Sequence, residues 1–423
     1  MSGDELKTET SDGFSRSTET SDSAIVKTQH HRSGEFMTYT APDFFNIETL
    51  LADEEKMVRD SVRQFVDKEV LPIIADAFMK SQFPRHLVPK LAELGTLGAT
   101  IDGYGCAGLS YTSYGLIMQE LERGDSGLRS FVSVQGALCM YPIARYASEE
   151  NKTKYLPKMA RGELIGCFGL TEPDFGSNPG GMVTRAHRDG DHYVLNGNKM
   201  WITNGGFADL AIVWAKNDQD KTIGFIVDRD TAGFEVRDIH KKFSLNASVT
   251  SELIFKDCRV PASQMLNVEG LKGPFSCLNQ ARYGISWGAL GAAMACYDEA
   301  LTYAKTRIQF DRPIAGFQLV QAKLSGMITE ISKGQLLALQ LGRLMDRGLA
   351  TPEQVSMAKM NNVSEALHIA RVTRDILGAS GITHEYQCGR HMLNLESVNT
   401  YEGTEDIHRL VVGQKITGIP AYR

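Results

Sequence analysis

The period of the hydrophobic pattern changes twice along this 423-residue chain, and that succession constrains the fold more than any other sequence feature. From about residue 48 to 160, apolar residues recur at the three- and four-residue spacings of amphipathic helices. Short extended runs follow at roughly ten-residue spacing to about residue 265, and helical spacing returns after about residue 275. The sequence therefore predicts a mainly α protein with a central β domain of antiparallel strands between two helical regions.

The predicted domain boundaries follow these changes of period. We expect an N-terminal helical domain at residues 45–164, a central β domain at 165–275 and a C-terminal helical bundle at 276–423. Residues 1–44 are rich in Ser, Thr and acidic side chains, and we expect a disordered N-terminal extension there.

Composition and charge exclude several classes of function. A net charge of -6 with no long basic run argues against a nucleic-acid partner. The seven cysteines are scattered without a CxxC pair, and the ten histidines form no HExxH, so no metal site is predicted. The N-terminus lacks the apolar core of a secretory signal and is too acidic for a transit peptide. We expect a soluble protein without a membrane span, and the acidic N-terminus favours a bacterial cytoplasm.

Three local signals refine this description. Ser148 precedes two glutamates and predicts a helix start. Asn196-Gly197 lies between two extended runs and predicts the turn of a β-hairpin. GYGCAG at 103–108 fits the letters of GxGxxG, but the preceding segment is helical and no βαβ alternation follows, so we interpret it as a loop and exclude a dinucleotide-binding fold.

The acidic segment NTYEGTEDIH raises the question of a catalytic carboxylate. Thr404 is a plausible helix N-cap, and Glu405 and Asp406 would then lie in the first turn, where the helix dipole favours anions. Glu402 precedes the cap beside Gly403, which permits close approach by a ligand. Taken alone, however, a loop glutamate beside an aromatic residue is more often on the surface than catalytic.

Three further segments have open alternatives. In CFGLTEPDFGSNPGG a strand ends in a Gly/Ser/Pro-rich loop that suits a phosphate or a heterocycle, or that is merely a wide turn. In MWITN, Trp201 and Thr203 share a direction only if the strand is regular, and Trp201 is otherwise a core residue. In TRIQFDRPI, Arg307 and Gln309 suit a diphosphate, or belong to a solvated helix end.

Together and in this order, CFGLTEPDFGSN, NGNKMWITN, TRIQFDRPI, ILGASGITHEY and TYEGTEDIH resemble the acyl-CoA dehydrogenase family, over nearly the whole chain from about residue 45. The resemblance implies a C-terminal four-helix bundle, FAD as cofactor, a homotetramer, and electron transfer to electron-transferring flavoprotein. It is closest to the members that act on glutaryl-CoA, through GYGCAGLSYTSYGLIMQELERGDSGLRSFVSVQ and LNQARYGISWGALGA. The chain departs from the family where Asn246 replaces a common arginine and Asp311 a common glycine.

The same resemblance implies roles for individual residues. Glu402 would be the catalytic base. Substrate contacts are implied for Arg129, Ser133, Tyr401, Gly403 and Arg282, the first two holding a distal carboxylate. FAD contacts are implied for Phe168, Leu170, Thr171, Gly176, Ser177, Trp201, Thr203, Arg307, Gln309, Phe310, Gln318, Gly378, Gly381, Thr404 and Asp406. Among these, Thr171 and Thr203 would hydrogen-bond the isoalloxazine with Trp201 packed beside it. Ser177 would lie near phosphate, and Arg307 and Gln309 would reach the FAD of a neighbouring subunit.

The implied reaction is the oxidative decarboxylation of glutaryl-CoA to crotonyl-CoA and CO2, a step of lysine and tryptophan degradation. Glu402 would take the α-proton while the β-hydride moves to the flavin. The backbone N–H of Glu402 and a hydroxyl of FAD would stabilise the charge on the thioester oxygen. Alternatives are an acyl-CoA dehydrogenase or oxidase of different chain specificity, an enzyme that stops before decarboxylation, and a catalytically silent scaffold. In a eukaryote this pathway lies in the mitochondrial matrix.

Overall fold

The structure, a computed structural model, describes residues 39–422. Most of the predicted N-terminal extension, residues 1–38, lies outside the described residues. Within residues 39–422, seven α-helices precede the first strand: α1 Asp53–Phe65, α2 Leu71–Met79, α3 Val88–Glu93, α4 Tyr111–Gly124, α5 Ser126–Ser133, α6 Tyr141–Tyr146 and α7 Glu149–Ala160. The Ser148 hydroxyl caps α7 by accepting the Asn151 backbone N–H at 3.3 Å, which confirms the predicted start. The GYGCAG segment lies in the irregular chain between α3 and α4, as predicted.

The helical periodicity has a direct physical origin in the burial of one stripe. On α1 and the π-helical segment Val66–Val70 that continues it, Val62, Phe65, Val66 and Val70 are all buried. A second π-helical segment, Val134–Met140, joins α5 to α6. Such segments rotate the following side chains relative to a regular helix and are frequent near functional sites.

The central region is an eight-stranded sheet. Its strands are β1 Gly166–Gly169, β2 Arg185–Asp189, β3 His192–Thr203, β4 Leu210–Lys216, β5 Thr222–Asp228, β6 Phe234–Asp238, β7 Thr250–Pro261 and β8 Met265–Glu269. The order is β6-β7-β3-β2-β4-β5-β8, with β1 paired to β4. Most pairs are antiparallel, as predicted, whereas β4 pairs in parallel with both β1 and β2.

The predicted hairpin turn at Asn196-Gly197 is also wrong. Both residues lie inside β3, at a bulge opposite β7, and the turn joining β2 to β3 lies at Asp189–His192. Gly197 has φ 146°, and a Cβ there would lie 2.7 Å from the Thr184 Cα. The glycine therefore marks close backbone approach within a strand rather than a turn.

The C-terminal region consists mainly of long helices. They are α8 Lys272–Thr306, α9 Gln318–Asp346, α10 Pro352–Ile376, α11 Cys388–Thr400 and α12 Glu405–Thr417, with a small hairpin of β9 Ile308–Gln309 and β10 Arg312–Pro313. The apolar run GISWGALGAAMACY is the buried middle of α8, as its composition predicts. Within the described chain, no helix is both long and apolar enough to cross a membrane.

Helix α8 packs against α4 and α10. The approach to α4 is close because α8 presents glycines there. A Cβ at Gly288 would overlap Glu122 Oε2, and one at Gly291 would overlap the Gln119 carbonyl oxygen. These glycines bring the Glu122 side chain and the Gln119 backbone of α4 directly against α8.

Candidate active site

The loop between α11 and α12 separates the three acids of NTYEGTEDIH. The Thr404 hydroxyl caps α12 by accepting the backbone N–H of Ile407 at 3.2 Å, which confirms the predicted N-cap. Glu405 and Asp406 lie in the first turn of α12, as predicted. Glu405 accepts a hydrogen bond from Asn399 Nδ2 at 3.2 Å, and Asp406 is exposed.

Glu402 has a strained backbone that its neighbours hold in place. Its φ is 54°, in the left-handed region, which costs a residue with a side chain about 1–3 kcal/mol. Arg282 Nε donates to the Glu402 carbonyl at 2.7 Å. Lys359 Nζ donates to the carbonyls on either side, those of Tyr401 at 3.2 Å and Gly403 at 2.8 Å. Cationic side chains from two bundle helices thus bind three successive carbonyls.

The glycine after Glu402 is required by a neighbouring histidine. Gly403 has φ 95°, and a Cβ there would lie 2.9 Å from His408 Nε2. Burial, together with the charges of Lys359 and Arg282, lowers the pKa of His408 to about 3, so this imidazole is neutral near pH 7. The loop that carries Glu402 and Gly403 therefore packs against the uncharged imidazole of His408.

The Glu402 carboxylate is suited to receive a proton. Its Oε2 is buried and has no hydrogen-bond partner among residues 39–422. Burial raises the pKa of Glu402 above its usual value, although the charges of Arg129, Arg282 and Lys359 act in the opposite direction. A carboxylate with a raised pKa and an unoccupied acceptor atom meets the requirements of a general base.

Arg129 is fully buried beside this base. Its Nε donates to Glu122 Oε2 at 2.6 Å, and its Nη2 donates to the Tyr401 hydroxyl. Burial opposes the charge of Arg129, but Glu122 and the other neighbours raise its pKa above the usual value. Its Nη1 is buried without a partner in the described chain. Ser133 lies one turn further along the same helical run, beside the buried Tyr114 hydroxyl.

A second group of predicted residues surrounds the ends of β1 and β3. The Met200 N–H donates to the Thr171 carbonyl at 2.9 Å, which fixes the end of β1 beside an irregular part of β3. There Trp201 has φ 65° and is 60% exposed, so the alternative in which it is a core residue is wrong. The hydroxyls of Thr171 and Thr203 form no hydrogen bond within residues 39–422. An exposed indole and two available hydroxyls suit a planar polar ligand.

A buried ion pair that sequence reasoning missed supports this second group. Lys199 Nζ donates to Glu172 Oε1 at 2.8 Å and to the Leu170 carbonyl at 3.1 Å. Glu172 Oε2 accepts the Val183 N–H at 2.6 Å and so closes the loop after β1. The partners are 27 residues apart, and each resembles an ordinary surface charge in sequence. Of the other predicted residues here, Phe168 and Leu170 are buried, whereas Gly176 and Ser177 are exposed in the loop.

A third group lies on the surface at the end of α8. It comprises the exposed residues Arg307, Gln309, Phe310 and Gln318. Phe310 and Asp311 form the turn of the β9–β10 hairpin with φ of 50° and 61°. Asp tolerates this region well, which explains how it replaces the glycine common in the family. The Tyr303 and Ser380 hydroxyls, 3.4 Å apart, link the end of α8 to the segment Gly378–Ile382.

The structure thus brings the implied substrate residues together around Glu402 and leaves the third group apart from them. Within residues 39–422, no hydrogen bond or ion pair joins the β9–β10 hairpin to Glu402 or Arg129. Arg282 was implied to contact the substrate, and in the structure its Nε donates to the Glu402 backbone carbonyl. No group of three or more His, Cys, Asp or Glu in the part described could hold a metal ion.

Comparison with known proteins identifies the class. Family models described as the N-terminal, middle and C-terminal domains of acyl-CoA dehydrogenase match residues 52–163, 167–258 and 269–417. The chain therefore belongs to the acyl-CoA dehydrogenase family. The predicted fold, a helical N-terminal region, a largely antiparallel sheet and a helical C-terminal region, is confirmed.

The individual relatives are named for different substrates. A glutaryl-CoA dehydrogenase from Mycobacterium smegmatis, crystallised with FADH2, is 52% identical with a TM-score of 0.89, over 91% of this chain and 100% of that one. A glutaryl-CoA dehydrogenase solved with glutaryl-CoA is 32% identical with a TM-score of 0.84, over 88% and 98%. The short-chain-specific acyl-CoA dehydrogenase of Clostridium acetobutylicum is 35% identical over 86% of this chain and 98% of that protein.

Proposed function

We propose that this acyl-CoA dehydrogenase oxidises and decarboxylates glutaryl-CoA to crotonyl-CoA and CO2. The observation that carries the choice of substrate is the buried Arg129, whose Nη1 has no partner among residues 39–422. An apolar acyl chain would leave this donor unpaired at a cost of about 1–3 kcal/mol. The distal carboxylate of glutaryl-CoA would accept from it in a charge-assisted hydrogen bond, with the Ser133 hydroxyl as a second donor.

Glu402 is the proposed base. Its partnerless Oε2 would take the α-proton of the thioester, and its backbone N–H would donate to the thioester oxygen as negative charge develops there. Bound FAD supplies the acceptor for the β-hydride. The γ-carboxylate can then leave as CO2 because the charge is delocalised toward the thioester, and the protonated Glu402 returns its proton to the γ-carbon. Arg129 holds the departing carboxylate until that step.

The second group of residues fits FAD. The unpartnered hydroxyls of Thr171 and Thr203 would hold the polar edge of the isoalloxazine, and the exposed Trp201 would cover one side. Gly176 and Ser177 lie in the exposed loop and would contact phosphate.

The exposed third group would serve a second copy of the chain. Arg307, Gln309, Phe310 and Gln318 lie apart from Glu402 in their own chain, so a homotetramer would place them at a neighbour's FAD. Thr404, Asp406, Gly378 and Gly381 complete the proposed cofactor contacts. Electron-transferring flavoprotein is the proposed acceptor of the electrons.

Product analysis tests the proposal. The purified protein is incubated with glutaryl-CoA and an artificial electron acceptor, and thioesters and CO2 are quantified. We expect crotonyl-CoA and CO2 in equal amounts. Glutaconyl-CoA without CO2 would refute decarboxylation. Turnover of butyryl-CoA with none of glutaryl-CoA would refute the substrate and favour a short-chain specificity like that of the Clostridium relative.

A further inference from the structure

Lys359 is an unusual residue for the middle of a helical bundle. Its side chain on α10 is fully buried, and no salt bridge joins it to a carboxylate in the described chain. Its two hydrogen bonds go instead to the backbone carbonyls of Tyr401 and Gly403, at 3.2 and 2.8 Å. A buried ammonium without a hydrogen-bonded counter-ion is destabilising, so its presence here calls for a function.

The two carbonyls that Lys359 binds flank Glu402. Arg282 on α8 binds the carbonyl between them at 2.7 Å. The peptide planes on both sides of Glu402 are therefore oriented from two different helices. This constraint suits a residue whose φ of 54° would otherwise relax to a more favourable conformation.

The charge of Lys359 also acts on the base. Burial lowers the pKa of Lys359 to about 7, and Glu402 is the largest opposing influence. Reciprocally, Lys359 lowers the pKa of Glu402, after Arg129 and Arg282 in order of effect. The charged and titratable groups around the pair are Tyr114 and Glu122 on α4, Arg129 on α5, Arg282 on α8, Tyr401 in the loop, and Glu405 and His408 on α12.

We propose that Lys359 is a positioning residue for catalysis, which holds the Tyr401–Gly403 backbone so that the carboxylate and N–H of Glu402 face the thioester, and which favours the ionised form of that carboxylate. The inference rests on the proposed function, because it presumes that Glu402 is the base. Lys359 lies outside the TYEGTEDIH segment, in the middle of another helix. Its proposed role is to orient Glu402 for proton abstraction, not to bind the substrate.

The variants Lys359→Met and Lys359→Gln test this role. Met keeps an apolar stem and removes the hydrogen bonds and the charge, whereas Gln removes the charge and keeps an N–H donor on a side chain that is one atom shorter. Lys333→Met is the control, because Lys333 is an exposed lysine on α9 that pairs with Glu330. For each protein, kcat and KM are measured for glutaryl-CoA, and the isotope effect on kcat is measured with α-deuterated substrate. The pH profile of kcat/KM and the FAD content are also determined. Hydrogen exchange of the backbone amides is followed in the peptide that spans residues 399–408.

For Lys359→Met we expect kcat to fall about tenfold or more while KM changes little, because binding of the CoA thioester does not involve Lys359. The isotope effect on kcat should rise, since proton abstraction becomes slower than the other steps. The acid limb of kcat/KM should move to higher pH, because loss of the cation raises the pKa of Glu402. Amide exchange in residues 399–408 should become faster, and Lys359→Gln should lose less kcat with the same displacement of the acid limb.

The inference would be overturned if Lys359→Met changed only the protein yield or the melting temperature and kept the kcat, isotope effect and acid limb of the wild type. The proposed function would still stand in that case. If Lys359→Met does not fold, the acid limb and isotope effect of Lys359→Gln decide. Failure of the proposed function gives a different result. The wild type would then turn over no acyl-CoA, or Glu402→Gln would stay active.

Discussion

Gly288→Ala should change substrate selection without touching the substrate. An added Cβ would overlap Glu122 Oε2 and lie 3.1 Å from Glu122 Cδ and 3.1 Å from Arg129 Nε, both inside an ordinary contact of roughly 3.5 Å. Either α8 moves away from α4 or the carboxylate turns. Such overpacking costs about 1–3 kcal/mol in stability.

The consequence for activity follows from the salt bridge. Glu122 fixes the orientation of the Arg129 guanidinium through the 2.6 Å contact to Nε. Displacing Glu122 would misdirect the partnerless Nη1 and weaken a charge-assisted hydrogen bond of about 1.5–3 kcal/mol. The kcat/KM for glutaryl-CoA should therefore fall roughly 10- to 150-fold, whereas that for butyryl-CoA should change little.

The matched control is Gly326→Ala on α9, where a Cβ would meet no atom within 4 Å. It should raise the melting temperature slightly, in line with a gain of about 0.4–1 kcal/mol, and leave both substrates unaffected. Melting curves and kcat/KM for both thioesters are measured on all three proteins. Equal losses for glutaryl-CoA and butyryl-CoA in Gly288→Ala, or no loss, would refute the reasoning.

Three further outcomes are expected. Glu402→Gln should abolish turnover while the flavin absorbance of the purified protein persists, because the base is lost and the cofactor contacts remain; full activity would contradict the assignment. Thr404→Ala should lower the free energy of unfolding by about 0.5–2 kcal/mol through loss of the α12 cap, measured by denaturation, and an unchanged value would contradict the cap. The pKa of His408 is lowered from 6.5 to about 3 in the folded protein. Between pH 6.5 and about pH 3, His408 therefore takes up a proton when the protein unfolds, and the free energy of unfolding should decline as the pH falls through that range. In His408→Gln the decline should be shallower, and an identical pH dependence would exclude His408 as its source.

Local signals in the sequence predicted local structure well. The Thr404 and Ser148 caps, the buried middle of α8 and the separation of Glu402 from the α12 cap depend on residues within a few positions of one another. The Asn196-Gly197 prediction failed because the need for glycine came from Thr184, which is distant in sequence and adjacent in the sheet. A turn motif cannot be distinguished from close strand packing when the packing partner is unknown.

The buried charges were the largest omission. In sequence, Lys359, Lys199 and Glu172 are indistinguishable from solvated side chains, because their partners are contributed by other elements of the fold. The sequence left open whether Trp201 is a core residue, because the irregularity of β3 between Lys199 and Ile202, which accompanies its exposure, depends on pairing with β7. The sequence motifs predicted that Glu402 and Arg129 could act in catalysis and substrate binding. The close packing at the α8 glycines and the contacts of α10 determine how these two side chains are oriented.

The most direct test of the central claim is the ratio of kcat/KM for glutaryl-CoA to kcat/KM for butyryl-CoA in the wild-type protein. Because butyryl-CoA leaves Arg129 Nη1 buried and unpaired at a cost of about 1–3 kcal/mol, the account predicts a ratio of about 5- to 150-fold. A ratio at or below one would contradict it, and would show that the buried arginine does not select the substrate.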